Sequence, residues 1–303
     1  MPILKLHKTI PQKIVYAVKN PRLLYGFIKR LLAPKIFIGS ELNRSESDNG
    51  TYIYFVQSAV QNYKIFTKFK RHPSYQEILE HTSEEDGHSC LDIIKNKSPS
   101  FIGMIEKFKE NDIIGSPITY DYPDVGIVSP TTLRYVKVAS DLRILFGDNI
   151  GQKIVEIGVG YGGQLLVNDR IFNIKQYDLF DLPPVLSLVS KYLECHTLNC
   201  SYNALTLNQC PGDKEYDLVI SNYAFSELPP QLQLQYISKI MSKAKRGYLT
   251  MNSGLKNSIL NINHLSIEEL KKYLPGFEIF PELPLTSPNN YILVWGHKAS
   301  ALN

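Results

Sequence analysis

Ile154-Val-Glu-Ile-Gly-Val-Gly-Tyr-Gly-Gly163 places a short apolar strand, a carboxylate and a glycine-rich turn in direct succession near the middle of the chain. Gly158, Gly160 and Gly163 remove the Cβ atoms that would hold a ligand away from the backbone, and they permit the φ > 0 conformations of a sharp strand-to-helix turn. The stretch therefore reads as a site for a nucleotide-like cofactor. The spacing Gly-x-Gly-x-x-Gly also fits the dinucleotide fingerprint, in which the turn approaches a pyrophosphate. Glu156, two residues before Gly158, separates the two readings. A carboxylate that close repels a pyrophosphate, whereas S-adenosylmethionine has no phosphate and carries a positive charge, so the acid suits it.

The segments that follow extend the pattern. A helix is expected over Gln164 to Phe172, then a second apolar strand, Ile174 to Phe180, ending in Asp181-Leu-Pro-Pro184. A carboxylate at this strand tip, about 20 residues after the glycines, is placed to accept the ribose hydroxyls. Tyr216-Asp-Leu-Val-Ile-Ser-Asn222 reads as a buried parallel strand opening into the ligand crevice at its carboxyl end. By these motifs the chain resembles the class I S-adenosylmethionine-dependent methyltransferases. A finer set of residues is similar to the bacterial sugar O-methyltransferase family over roughly residues 50 to 298. It comprises Ser129-Pro-Thr-Thr-Leu-Arg-Tyr135, Tyr161-Gly-Gly-Gln164, Asp181-Leu-Pro183, Ser221-Asn-Tyr-Ala-Phe-Ser-Glu-Leu228 and Asn290-Tyr-Ile-Leu-Val-Trp-Gly296. The resemblance implies an α/β protein with a doubly wound Rossmann-like sheet whose last strand is antiparallel. It implies S-adenosylmethionine as cofactor, bound by Glu156, Gly158, Gly160, Tyr161, Gly162, Gly163, Asp181, Leu182, Ser221 and Asn222. It further implies a sugar hydroxyl as acceptor, in the building of a bacterial surface polysaccharide.

Composition bounds these readings. At 303 residues, 44% apolar and 20% charged, the chain can bury one large core or a core plus a helical lobe. No stretch approaches the roughly 20 apolar residues that cross a bilayer, and the N-terminus lacks the pattern of a signal peptide, so a cytoplasmic protein is expected. Cys90, Cys195, Cys200 and Cys210 form no CxxC pair. Cys195, His196, Cys200 and Cys210 match no standard zinc spacing, and reduced structural thiols are expected. Residues 1 to 40 hold eight Lys and Arg and no acid, a charge of +8 that leaves −4 on the rest of a chain whose formal total is +4. Interleaved with Leu, Ile, Tyr and Phe, these residues have the composition of a helix at the anionic inner face of a membrane, or of an extension packed on the domain. A nucleic-acid partner is not expected, since the basic residues form no stripe across the catalytic domain.

Along the chain, residues 1–46 read as that basic extension and 47–114 as a helical lobe or lid. Its helices are expected from Asp48 to Lys70, Ser74 to His81 and Phe101 to Lys109. Residues 115–130 read as a Pro- and Gly-rich connector without a regular element, and 131–303 as the methyltransferase domain. Within the last, a helix capped by Thr131 runs to Phe146 and stops at Gly147. Strands and helices then alternate to about Leu274, and strands near Phe277 to Phe280 and Tyr291 to Trp295 close a doubly wound sheet.

Transfer of a methyl group to a hydroxyl needs an in-line geometry and a base that removes the hydroxyl proton. Glu227, five residues past Asn222, is the first candidate base. At the start of the helix over Pro229 to Lys243 it would equally favour the helix dipole. His264 could approach the crevice from the other side or serve as a surface or capping residue. Tyr120 and Tyr122 have the composition of a carbohydrate platform or of an ordinary packed loop. Arg134 could hold an acceptor phosphate or the cofactor carboxylate, or pair with Asp141 in solvent. No Asp-Asp pair follows the strand ending at Asn222, so metal-independent chemistry is expected. Three other readings remain open: a phenolic or polyketide acceptor, a nicotinamide dehydrogenase, and a non-catalytic partner of a membrane-associated glycan assembly.

Overall fold

The computed structural model describes residues 50–252, 264–274 and 276–297. The expectations for the basic segment 1–46 and for a cap at Asp48 fall outside these residues. Helix α1 (Gly50–Gln61) buries Tyr52, Phe55, Val56 and Ala59, the face that the helical period sets out. It does not continue to Lys70. Asn62 adopts extended backbone, and its side chain accepts the amides of Lys64 and Ile65 to start the short α2 (Tyr63–Phe66). An Asn side chain competes in this way with the helix ladder for backbone donors. In α3 (Pro73–Gln76) the His72 ring caps the Ser74 amide.

Helix α4 (Glu84–Lys97) was not expected from the pattern. It opens on a reciprocal capping box between Ser83 and Asp86, has three acids in its first turn, and buries Gly87, Cys90, Leu91 and Ile94. The short α5 (Ile105–Phe108) is flanked by 3-10 turns over Pro99–Met104 and Lys109–Asp112, where one longer helix was anticipated. The connector also differs from expectation. Tyr120–Tyr122 (β1) and Gly126–Val128 (β2) pair as an antiparallel hairpin, with Asp121 opposite Ile127. Asp124 and Gly126, at φ 70° and 68°, supply its reversal. Helix α6 (Pro130–Phe146) is capped by Ser129 rather than Thr131, because Pro130 takes the first helical position and the Ser129 hydroxyl accepts the Thr132 amide.

From Lys153 the strands and helices alternate: β3 (Lys153–Ile157), α7 (Gly163–Ile171), β4 (Gln176–Phe180), α8 (Pro183–Leu193), β5 (Ser201–Leu205), β6 (Leu218–Asn222), α9 (Pro230–Lys239), β7 (Gly247–Met251), α10 (Ile267–Tyr273), β8 (Glu278–Pro281) and β9 (Tyr291–Trp295). The seven strands from β3 onward form one sheet in the order β5-β4-β3-β6-β7-β9-β8. Pairing is parallel from β5 through β7, while β9 runs antiparallel to both β7 and β8. This is the doubly wound, Rossmann-like sheet with an antiparallel last strand. The strand order reverses beside β3, so the crevice between the carboxyl ends of β3 and β6 is the ligand position of an open α/β sheet.

The helical lobe is welded onto that edge. Lys191 of α8 donates to the carbonyls of Val60 and Ala59, at 2.6 and 3.3 Å, and lies 4.6 Å from the Phe66 ring centroid. Tyr161 is fully buried in a ring cluster with Phe69, Tyr135 and Tyr192, at centroid separations of 5.0 to 5.9 Å. Lys70, also fully buried, stands 4.0 Å from the Tyr161 centroid and donates to the Asn111 carbonyl. Burial lowers its pKa from 10.5 to about 8.

Candidate functional site

The turn after β3 is left-handed at Gly158 (φ 74°) and Gly160 (φ 58°). A Cβ at Gly158 would lie 1.9 Å from the Ala224 Cβ, so glycine there also lets the loop after β6 close onto the turn. Two carboxylates flank the turn. Glu156, 2% exposed, accepts the Tyr177 hydroxyl at 2.8 Å. Burial lifts its pKa from 4.5 to about 8, against the opposing pull of that hydrogen bond. Asp181 accepts the amides of Val159 and Leu182 at 2.8 and 2.7 Å. Burial raises it from 3.8 to about 6, and the amides of Leu182, Val159 and Gly160 work against that rise.

These contacts favour a cation over a phosphate at the turn. The Val159 amide, which a pyrophosphate would take as a donor, already donates to a carboxylate. No basic side chain is among the causes of either shift, and a cationic ligand would favour the ionised form of both acids. A carboxylate offers about four lone-pair directions. Asp181 therefore keeps capacity to accept a ribose hydroxyl beside its backbone donors.

Ser221, fully buried, donates to the Ile157 carbonyl (2.8 Å) and accepts the Phe225 amide (3.1 Å). Both roles are structural, tying the loop after β6 to the end of β3. Asn222, at the strand end, borders a small cleft that is partly open to solvent. Arg134, Asn222, Tyr223, Thr250, Glu282 and Thr286 contribute to its lining, and α4 closes another side with Asp86 and Cys90. Tyr223 has φ 68°, a strained value for a bulky residue and one that clusters at functional sites. Its backbone is held by the Thr250 carbonyl at 2.9 Å, and its hydroxyl donates to Glu282. Glu282, 3% exposed, also accepts the amide and hydroxyl of Thr286.

The structure places Glu156, Gly158, Gly160, Asp181, Leu182, Ser221 and Asn222 at or next to the carboxyl ends of β3, β4 and β6, whereas Tyr161 is fully buried in its ring cluster, Gly162 lies against Leu193 and Val189, and Gly163 lies against Tyr135. Arg134 lines the adjoining cleft and donates to the Leu79 carbonyl at 3.2 Å. Its expected partner Asp141 instead pairs with Lys137 (2.7 Å) and the Tyr248 hydroxyl (2.6 Å). Glu227 lies in a 3-10 turn, Ala224–Glu227, where it accepts the Asn252 side-chain amide at 3.2 Å; it is not among the residues lining the cleft. Burial lowers the pKa of His264, whose Nδ1 is enclosed, and His264 too is absent from that lining.

Tyr122 requires a correction as a substrate residue. Tyr122 is 1% exposed, donates to the Glu84 carbonyl and packs against His88 and Gly87, and Tyr120 packs on Tyr122. The Tyr122 ring serves the junction of the hairpin with α4, and neither tyrosine is among the residues lining the cleft. Sequence reasoning passed over Tyr223, Glu282 and Thr286. The position of Tyr223 directly after a buried strand was a usable signal; Glu282 and Thr286 sit in the β8–β9 loop and had none. Among the described residues no group of three or more His, Cys, Asp or Glu is placed to hold a metal ion, and no helix is long and apolar enough to cross a membrane.

No protein-family model matches the chain, and no curated protein matches it. Similar solved structures include an S-adenosylmethionine-dependent methyltransferase from Clostridium acetobutylicum, at 11% identity over 54% of this chain and 89% of that chain, TM-score 0.41. Another is the magnesium protoporphyrin IX methyltransferase from Synechocystis with bound SAH, at 15% identity over 69% and 97%, TM-score 0.41. A third is an N-methyltransferase from Bradyrhizobium japonicum, at 12% identity over 53% and 92%, TM-score 0.40. The chemistry of the site rests on its own residues.

Proposed function

We propose that this protein is an S-adenosylmethionine-dependent O-methyltransferase that acts on a sugar hydroxyl, in the assembly of a bacterial surface polysaccharide. The observation that carries the cofactor reading is the pair of carboxylates, Glu156 buried and Asp181 partly buried, at a glycine turn whose Val159 amide is already taken. A nicotinamide dinucleotide would set a pyrophosphate against these acids. The acceptor reading is carried by the resemblance in sequence; Asn222, Thr250 and Thr286 are among the residues that line the adjoining cleft.

Bound S-adenosylmethionine supplies an electrophilic methyl group on a sulfonium. Glu156 and Asp181 hold the cationic and ribose portions, while Asn222 and Tyr223 border the side from which an acceptor approaches. The proton acceptor is one of two carboxylates. Glu227 follows the strand end in sequence, and Glu282 borders the cleft and receives the Tyr223 hydroxyl. Through Tyr223, Glu282 can take a proton in two steps: the phenol oxygen accepts the hydroxyl proton as its own passes to the carboxylate.

Titration calorimetry with S-adenosylhomocysteine and with NAD tests the cofactor reading, which expects micromolar binding of the first and none of the second. The reverse pattern would end it. Incubation with labelled cofactor and a series of nucleotide-sugars tests the acceptor reading through the formation of methylated sugar.

A further inference from the structure

Charge is divided along the chain, and the helical lobe carries part of its basic share on the surface. Residues 1–76 hold thirteen Lys and Arg against three acids, a net +10 that leaves −6 on the rest of a chain whose formal total is +4. Residues 50–76, which make up α1 to α3, contain no Asp or Glu. Lys64, Lys68 and Arg71 are exposed, and none of the three forms an ion pair within 4 Å among the described residues. Arg71 donates instead to the carbonyls of Ser116 and Pro117, at 3.2 Å each, which holds the guanidinium without neutralising it.

Two tyrosines accompany these cations. The period that buries Tyr52, Phe55, Val56 and Ala59 turns Tyr54 outward, where it is 74% exposed, and Tyr63 at the start of α2 is 73% exposed. Tyr63, Lys64 and Lys68 stay together at the end of α1, because the Thr67 amide returns to the Tyr63 carbonyl and the Lys68 amide to the Ile65 carbonyl. The chain then folds back along α1. The His72 ring, next to Arg71, stacks at 3.9 Å on Phe55, next to Tyr54. The two rings and three cations therefore share a stretch of surface about as long as α1, about 18 Å for twelve residues. Such a surface suits an anionic bilayer. Lipid phosphates attract Lys and Arg, and a tyrosine settles at headgroup level with its ring toward the acyl chains and its hydroxyl in water. The excess of acid beyond residue 76 turns the rest of the molecule away from the same surface.

We propose that the outer surface of α1 and α2, with Tyr54, Tyr63, Lys64, Lys68 and Arg71, docks on an anionic membrane surface. The lobe then holds the sheet domain at the bilayer, where an acceptor anchored in lipid comes within reach. The docking does not depend on the cofactor reading, and no cofactor enters its test.

The full chain is sedimented with phosphatidylcholine vesicles that contain or lack phosphatidylglycerol. Binding is expected only where phosphatidylglycerol is present, and it should fall as salt screens the charges. Lys64→Gln combined with Lys68→Gln should weaken it roughly 10- to 30-fold, from a loss of about fivefold per cation. Tyr54→Ser combined with Tyr63→Ser should weaken it without changing its salt dependence. All four side chains are exposed, so both double variants should keep the thermal unfolding of the parent. Lys271→Gln combined with Lys272→Gln removes the same charge from exposed positions on α10 and should leave binding within about threefold, since the attraction fades over a Debye length. An equal loss in the two lysine pairs, undiminished binding by the Lys64 and Lys68 double variant, or no vesicle binding by the parent overturns the proposal. A parent that binds a DNA oligonucleotide and no vesicle overturns it in favour of a nucleic-acid surface.

Discussion

Replacing Glu156 by Gln separates the energetic cost of the buried acid from its use. In the folded protein burial holds the carboxyl at a pKa of about 8, against 4.5 for the free side chain, while the Tyr177 hydrogen bond opposes the rise. A group whose folded pKa is raised in this way binds more protons in the native state than in the unfolded one. Its contribution is therefore intact below about pH 4.5 and is lost as pH rises toward 8. At about 1.4 kcal/mol per pH unit, the loss is on the order of 5 kcal/mol across the window and about 3 kcal/mol by pH 7. That is large beside a typical total stability of about 5 to 15 kcal/mol. Gln keeps an oxygen that accepts the Tyr177 hydroxyl but does not titrate. Parent and variant should be nearly equal in urea unfolding at pH 4.5, and the variant should be the more stable by a few kcal/mol at pH 8. The same substitution should weaken S-adenosylmethionine at least tenfold at pH 8, because the negative charge that a sulfonium and an ammonium favour is gone. A stability difference that stays flat from pH 4.5 to 8 would refute the reasoning, since it would mean that Glu156 titrates alike in both states.

Two further outcomes follow from the site. Gly158→Ala forces a side chain into a left-handed turn and sets its Cβ 1.9 Å from Ala224, so strain and overpacking together should remove about 2 to 5 kcal/mol, read as a lowered urea midpoint; unchanged stability would show that the turn can rearrange. Glu227→Gln and Glu282→Gln should differ in turnover. The variant that has lost the proton acceptor should fall roughly 10²- to 10⁴-fold with cofactor affinity within about threefold, and a matching loss in Tyr223→Phe assigns the relay to Glu282.

Much of this protein follows from short-range steric and hydrogen-bonding rules. The glycine turn, the acid two residues before it, the stop at Gly147 and the closing strand Tyr291–Trp295 stand where the sequence places them, because each depends only on neighbours along the chain. Where local competition was subtle, the pattern misled. Asn62 interrupts a helix whose apolar period continues, and α4 announces itself through the Ser83–Asp86 box more than through hydrophobicity. Contacts between distant segments were not legible. Tyr223 and Glu282 are 59 residues apart and Arg134 meets the Leu79 carbonyl across 55, separations that no spacing rule encodes. Tyr122 illustrates the same limit from the other side. Its composition suited a sugar platform, but the packing of a hairpin against Gly87 buried it. The sequence alone determined what the turn can hold, since glycine sterics and a nearby carboxylate are local properties. Which side chains border the adjoining cleft was decided by the tertiary structure, through the packing of α4 and the β8–β9 loop beside Asn222.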